Sequence, residues 1–101
     1  MASRESLHDL LIDYLESPNV YYQAPESIKM EYDAIRYSKK NIESRYANNR
    51  TYSMMDCYEL IVISRRPDSE AIKRLLTLPY CSYDRHYVSD GLHHDVLTIY
   101  Y

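Results

Sequence analysis

Hydrophobic and polar positions divide the chain into a few periodic segments. Between Ser3 and Ser17, Leu7, Leu10, Leu11, Tyr14 and Leu15 recur at i, i+3, i+4, i+7 and i+8. That spacing predicts an amphipathic helix with one apolar stripe. Ser3 or Ser6 can cap its start, Glu5 and Asp9 suit the positive end of the helix dipole, and Pro18-Asn19 ends it. Val20-Tyr21-Tyr22-Gln23 is a short β-prone run that Pro25 stops or confines to an edge. Tyr32 to Tyr37 reads as a better strand. Asp56 to Arg65 is the strongest, because Leu60-Ile61-Val62-Ile63 is apolar at every position and predicts burial on both faces.

After the turn Arg65-Arg66-Pro67-Asp68, a second helix is expected over Ser69 to Thr77. Asp68 is its cap, Ala71, Ile72, Leu75 and Leu76 its apolar stripe, and Leu78-Pro79 its end. Two final runs, Cys81 to Ser89 and Leu92 to Tyr101, flank Asp90-Gly91, a strong hairpin signal. The expected fold is a single α+β domain over residues 1–101. It has an antiparallel sheet and two helices packed on it, in the order helix, strand or strands, strand, helix, hairpin. The polar stretch 38–53 fits a long loop or an extended hairpin tip.

Charge changes this picture by its segregation. The net charge is −3, which argues against a general nucleic-acid coat. Yet the first helix carries Asp9, Asp13 and Glu16 on its polar face. Residues 29–50 instead hold six Lys/Arg against three Asp/Glu, including Lys39, Lys40, Arg45 and Arg50. With Tyr37, Tyr46 and Tyr52 interleaved, that basic stretch could contact nucleic acid, but an acidic protein surface is the favoured partner. Thirteen Tyr with no Phe and no Trp exceed what one small core needs. The surplus, including Tyr21, Tyr22, Tyr46, Tyr52, Tyr100 and Tyr101, fits strand-face covering or an interface. The closing Thr98-Ile99-Tyr100-Tyr101 would need cover if it formed a sheet edge.

Candidate chemistry is sparse. A two-residue Asp-Gly turn pairs Val88 with His93, Tyr87 with His94 and His86 with Asp95. His86, His93 and Asp95 then share one face, with Asp84 a step further along. Such donors could hold zinc, but the spacing matches no named zinc motif, and polar cross-strand pairing or subunit contact is the expected role. Cys57 and Cys81, with no CxxC neighbour, read as reduced thiols. No nucleophile elbow, P-loop, dinucleotide fingerprint or H-E-x-x-H motif is present. No enzymatic activity, cofactor or metal is expected. No apolar run is long enough for a membrane span. The opening residues do not read as a signal peptide, because His8, Asp9 and Asp13 interrupt the apolar stretch.

The second half of the chain carries a resemblance. Leu75 to Tyr87, then Asp90-Gly91-Leu92-His93-His94-Asp95 and the closing Tyr100-Tyr101, resemble the tail terminator or tail completion proteins of long-tailed bacteriophages. Tyr58 to Ile63 and Arg66-Pro67-Asp68-Ser69 fit the same pattern. So do the opening helix, Tyr21 to Pro25 and Tyr32 to Tyr37. The motif positions are Pro67, Asp68, Leu76, Pro79, Asp84, Arg85, Tyr87, Leu92 and His94. Ala24 and Asp33 stand where the family pattern is expected to carry proline.

The resemblance implies a structural virion protein at the head–tail junction, made in the host cytoplasm. It would form a ring, a homohexamer by analogy, on the head-proximal end of the tail tube. The ring ends tube polymerisation and meets the head connector, with DNA only as passing cargo in the lumen. The acidic helix and the basic stretch are the expected subunit or tube contacts, and Asp84, Asp90 and Asp95 candidate lumen residues. The rival readings are a head-side adaptor or stopper of the phage neck and a small inhibitor that binds a host protein.

Overall fold

The computed structural model describes residues 4–24, 29–47, 50–67 and 69–101, and along 41–47 and 50–55 it describes the backbone. The first helix, α1 (Arg4–Leu15), is followed by strands β1 (Val20–Tyr22), β2 (Ala34–Ala47) and β3 (Arg50–Ser64). A short helix, α2 (Glu70–Leu75), leads to β4 (Cys81–Ser89) and β5 (Leu92–Tyr100). The fold is α+β, with one five-stranded sheet in the order β1-β2-β3-β5-β4.

Two expectations need correction. The sheet is mixed rather than antiparallel, because β1 runs parallel to β2 with Val20 opposite Ile35 and Tyr22 opposite Tyr37. A parallel pair needs a crossover of about a dozen residues, and the segment 23–33 supplies it. The closing strand is also no edge: β5 lies between β3 and β4, and the sheet edges are β1 and β4.

α1 buries Leu7 and Leu11 fully, as its stripe requires. They pack on one face of the sheet, against Ile35 and Tyr37 of β2, Tyr58, Leu60 and Val62 of β3, and Leu97 and Ile99 of β5. These positions alternate along each strand, which places them on a single face. α2 adds Leu75 to the same core. In the expected apolar run of β3, Leu60, Val62 and Ile63 are buried and Ile61 is half-buried.

The helix ends show how the chain manages with one glycine. α1 stops at Glu16, which takes the left-handed conformation (φ 61°) that glycine usually occupies at a helix end. The Glu16 and Ser17 N–H groups return to the Ile12 carbonyl at 2.9 and 3.3 Å. α2 is shorter than the expected 69–77. Its cap residue is Ser69, in extended conformation and without a side-chain capping bond. The expected cap, Asp68, lies outside the described residues.

β2 and β3 pair along almost their whole length, from Ala34 opposite Ile63 to Ala47 opposite Arg50, with irregularities after Lys39 and after Arg45. The stretch 38–53 is therefore mostly strand backbone. β1 accompanies β2 only at residues 35–37, and β5 accompanies β3 only at 57–64. Beyond those points the two strands form a two-stranded arm, and the chain measures 49 × 24 × 23 Å.

Candidate functional site

The hairpin of β4 and β5 is built by its turn. Asp90 (φ 53°) and Gly91 (φ 73°) both have positive φ, the type I′ geometry whose twist matches the strands. The register follows from it: Val88 faces His93, Tyr87 faces His94, and His86 faces Asp95, as the Asp-Gly count predicts. A bulge then intervenes between Tyr83 and Arg85.

That bulge changes the composition of the cluster. Asp84 falls out of the ladder and pairs with its neighbour Arg85 at 2.8 Å instead of joining the histidines. Tyr83 takes the place expected for Asp84. Its hydroxyl donates to Asp95 Oδ1 at 2.7 Å, and His86 Nδ1 lies 2.8 Å from the same oxygen. His93 Nδ1 stands 3.3 Å from His86 Nε2, and the two rings stack with centroids 5.3 Å apart. Sequence spacing misses Tyr83, because a bulge shifts the face of every residue beyond it.

Asp95 is buried, at 4% exposure, which removes it from the expected lumen residues. Its Oδ2 is buried and has no hydrogen-bond partner. Donating to Asp95 holds the Tyr83 phenol in its protonated form and pushes its pKa up to about 12. Among the described residues, no group of three or more His, Cys, Asp or Glu is placed to hold a metal ion. On the opposite face of the hairpin, the Tyr87 and His94 rings stack at 4.7 Å, and His94 Nδ1 donates to the Leu92 carbonyl at 3.0 Å.

β4 is an edge strand, and residues 82–89 are all exposed. The exposed large hydrophobics of the described chain concentrate here: Tyr80, Tyr83, Tyr87 and Val88, with Leu76 just before them. Beside Tyr80, an apolar cleft of about 150 Å³ is lined by Leu10, Leu78, Pro79, Ile99, Tyr100 and Tyr101.

The charged residues expected at contacts sort into two groups. Asp9, Asp13 and Lys40 are exposed, whereas Glu16 pairs with Arg74 at 3.1 Å and Lys39 with Asp56 at 3.3 Å. The backbone of Arg45 and Tyr46 lies in β2 and that of Arg50 and Tyr52 in β3. Their side chains lie outside the described residues. Tyr101 is engaged within the chain: its hydroxyl meets Ser6 Oγ at 2.7 Å and its N–H donates to Asp56 O at 2.9 Å.

The resemblance positions and the thiols show a similar division. Pro67 and Pro79 are exposed and Leu92 is half-buried, all at turns or strand starts. The two departures have local partners. The Ala24 carbonyl accepts from Arg36 at 2.7 Å, and Asp33 Oδ1 accepts the Arg65 N–H at 3.0 Å. Cys57 and Cys81 are free thiols. Burial pushes the Cys81 pKa up to about 11, away from a reactive thiolate.

A second cleft, of about 430 Å³, is open and polar and lies between the end of α1 and the start of α2. Asp33, Ser64, Arg66 and Arg74 line it, and Ser64 Oγ is buried there without a partner. In comparisons with known proteins, the chain matches no family model and no curated protein.

Proposed function

We propose that the protein is a structural subunit that assembles head to tail into a ring. Its role is that of a tail terminator, closing the head-proximal end of a phage tail tube and receiving the head connector. The observation that carries this reading is the open edge strand β4, with residues 82–89 exposed and Tyr80, Tyr83, Tyr87 and Val88 on the surface. An edge of this length displays unpaired backbone groups beside apolar side chains, and native proteins ordinarily cover such an edge.

The two sheet edges differ, with a nine-residue strand at β4 and three residues at β1. Unlike edges favour a heterologous contact, which closes into a ring when the rotation allows. The two-stranded arm adds to this, since an isolated hairpin is marginal in water without something to pack on. Exposed Asp9 and Asp13 on α1 and Lys40 on β2 can set register between neighbours or against the tube. The resemblance at the motif positions quoted above supports the terminator role.

The test is incubation with isolated tail tubes and, separately, with capsid portals, read by electron microscopy. Capped tube ends are expected. Binding to portals with no binding to tubes would replace this reading with a head-side adaptor. Binding to neither would reject both.

A further inference from the structure

Asp95 places an acceptor-only carboxylate behind His86. An ionised carboxylate carries lone pairs and no proton, so the His86 ring that meets Asp95 Oδ1 at 2.8 Å bears its proton on Nδ1. Its Nε2 is left as a lone pair pointing away from the carboxylate. That lone pair faces His93 Nδ1 at 3.3 Å, and the hydrogen bond between them requires the proton to sit on His93. The hairpin register fixes this arrangement, with His86 opposite Asp95 and His93 two residues before it on the same face.

Two nitrogens held about 2.05 Å from a tetrahedral zinc ion stand about 3.3 Å apart. The separation of His86 Nε2 and His93 Nδ1 matches that edge of the tetrahedron. Asp95 supplies the carboxylate–histidine contact that fixes the tautomer and raises the basicity of a metal-binding imidazole.

We propose that His86 and His93 bind one divalent transition-metal ion of the zinc class through Nε2 and Nδ1, with Asp95 as the positioning carboxylate. On binding, the His93 proton moves from Nδ1 to Nε2, so both rings remain neutral and no charge is lost. His86 keeps its Nδ1 proton on Asp95. No third protein ligand of the described residues is in place, and the His86 side chain is 37% exposed, so water fills the remaining positions. Two imidazoles select zinc, copper or nickel over magnesium or calcium, which take oxygen ligands. The other histidines are occupied elsewhere, His8 with the Tyr37 hydroxyl at 2.7 Å and His94 with the Leu92 carbonyl. This inference is independent of the ring proposal.

The test is calorimetric titration of the full, metal-stripped chain with zinc, beside His86→Ala, His93→Ala and Asp95→Asn. One site per chain is expected. Each histidine variant should abolish it, and Asp95→Asn should weaken it about 10–100-fold. Zinc should also raise the thermal midpoint of the wild-type chain and leave that of the histidine variants unchanged. Nitrogen NMR of the unmodified protein guards against a variant that misfolds: zinc should move His86 Nε2 and His93 Nδ1 and leave His8 and His94 in place. Absence of a zinc response, or binding that survives either histidine variant or perturbs His8 or His94 instead, would overturn the proposal.

Discussion

Asp95 Oδ1 lies 2.8 Å from His86 Nδ1 across the β4–β5 pair, so a buried carboxylate holds a half-exposed ring in a single orientation. Tyr83 binds the same oxygen from the other side of the bulge. Replacing Asp95 by Ala removes the shared acceptor, while both partners remain near solvent and can rehydrate. Asp95→Ala is therefore expected to destabilise the fold by about 1–2 kcal/mol. Denaturant unfolding measures the loss, and the His86 ring nitrogens should lose their fixed tautomer in NMR.

Gly91 turns the hairpin at φ 73°, and a Cβ added there would meet nothing within 4 Å. The expected cost of Gly91→Ala is therefore conformational alone, about 1 kcal/mol. Asp90 tolerates its φ of 53° because short polar residues visit the left-handed region. A chemical-denaturation comparison of Gly91→Ala with wild type checks the value, and no change in stability would contradict the turn geometry.

The core prediction contrasts two leucines. Leu11 is fully buried between α1 and the sheet, whereas Leu76 is 41% exposed just beyond α2. Leu11→Ala should cost about 2–5 kcal/mol by lost burial plus the cavity left behind. Leu76→Ala, largely solvated already, should change stability by less than about 1 kcal/mol. Equal effects from the two would misplace the core.

Alkaline titration tests the tyrosine at the centre of that core. Burial, reinforced by Asp56, pushes the Tyr58 pKa up from 10.0 to about 12. The folded state thus holds the phenol proton more tightly than the unfolded chain. Its contribution is complete below pH 10, declines above it and is gone beyond about pH 12. Stability measured across this range should fall with rising pH, and less steeply in Tyr58→Phe.

The hairpin was legible because a two-residue Asp-Gly turn leaves only one way to count the pairs. His86–Asp95 followed from that count alone. Tyr83 did not, since the bulge at Asp84 has no local sequence mark and reverses the face beyond it. The helices were legible from their leucine stripes, although α2 ends at Leu75 and the last stripe residue, Leu76, is exposed. The parallel β1–β2 pair was not, because Val20-Tyr21-Tyr22 carries no signal for direction, and direction depends on the path of the connection 23–33. The long β2–β3 arm was legible only as one of two alternatives, because the polar stretch 38–53 fits a long loop as well as an extended hairpin tip. The residues 41–47 and 50–55 show no regular apolar alternation that would choose between the two. The interface roles proposed for Asp9, Asp13 and Lys40 rest on charge, which the sequence suggests, and on exposure, which only the fold locates.

The proposed assembly through β4 gives one more expectation. Val88 is 58% exposed on that edge, so Val88→Lys should leave the monomer folded and interrupt edge pairing, as lysine does on natural edge strands. The circular dichroism spectrum should be unchanged while the assembled species disappears.

The most direct test of the central claim is the mass in solution by light scattering on a sizing column, with and without purified tail tubes. A ring, either free or formed from monomers when tubes are added, is the predicted result. A monomer that stays a monomer and ignores the tubes would contradict it.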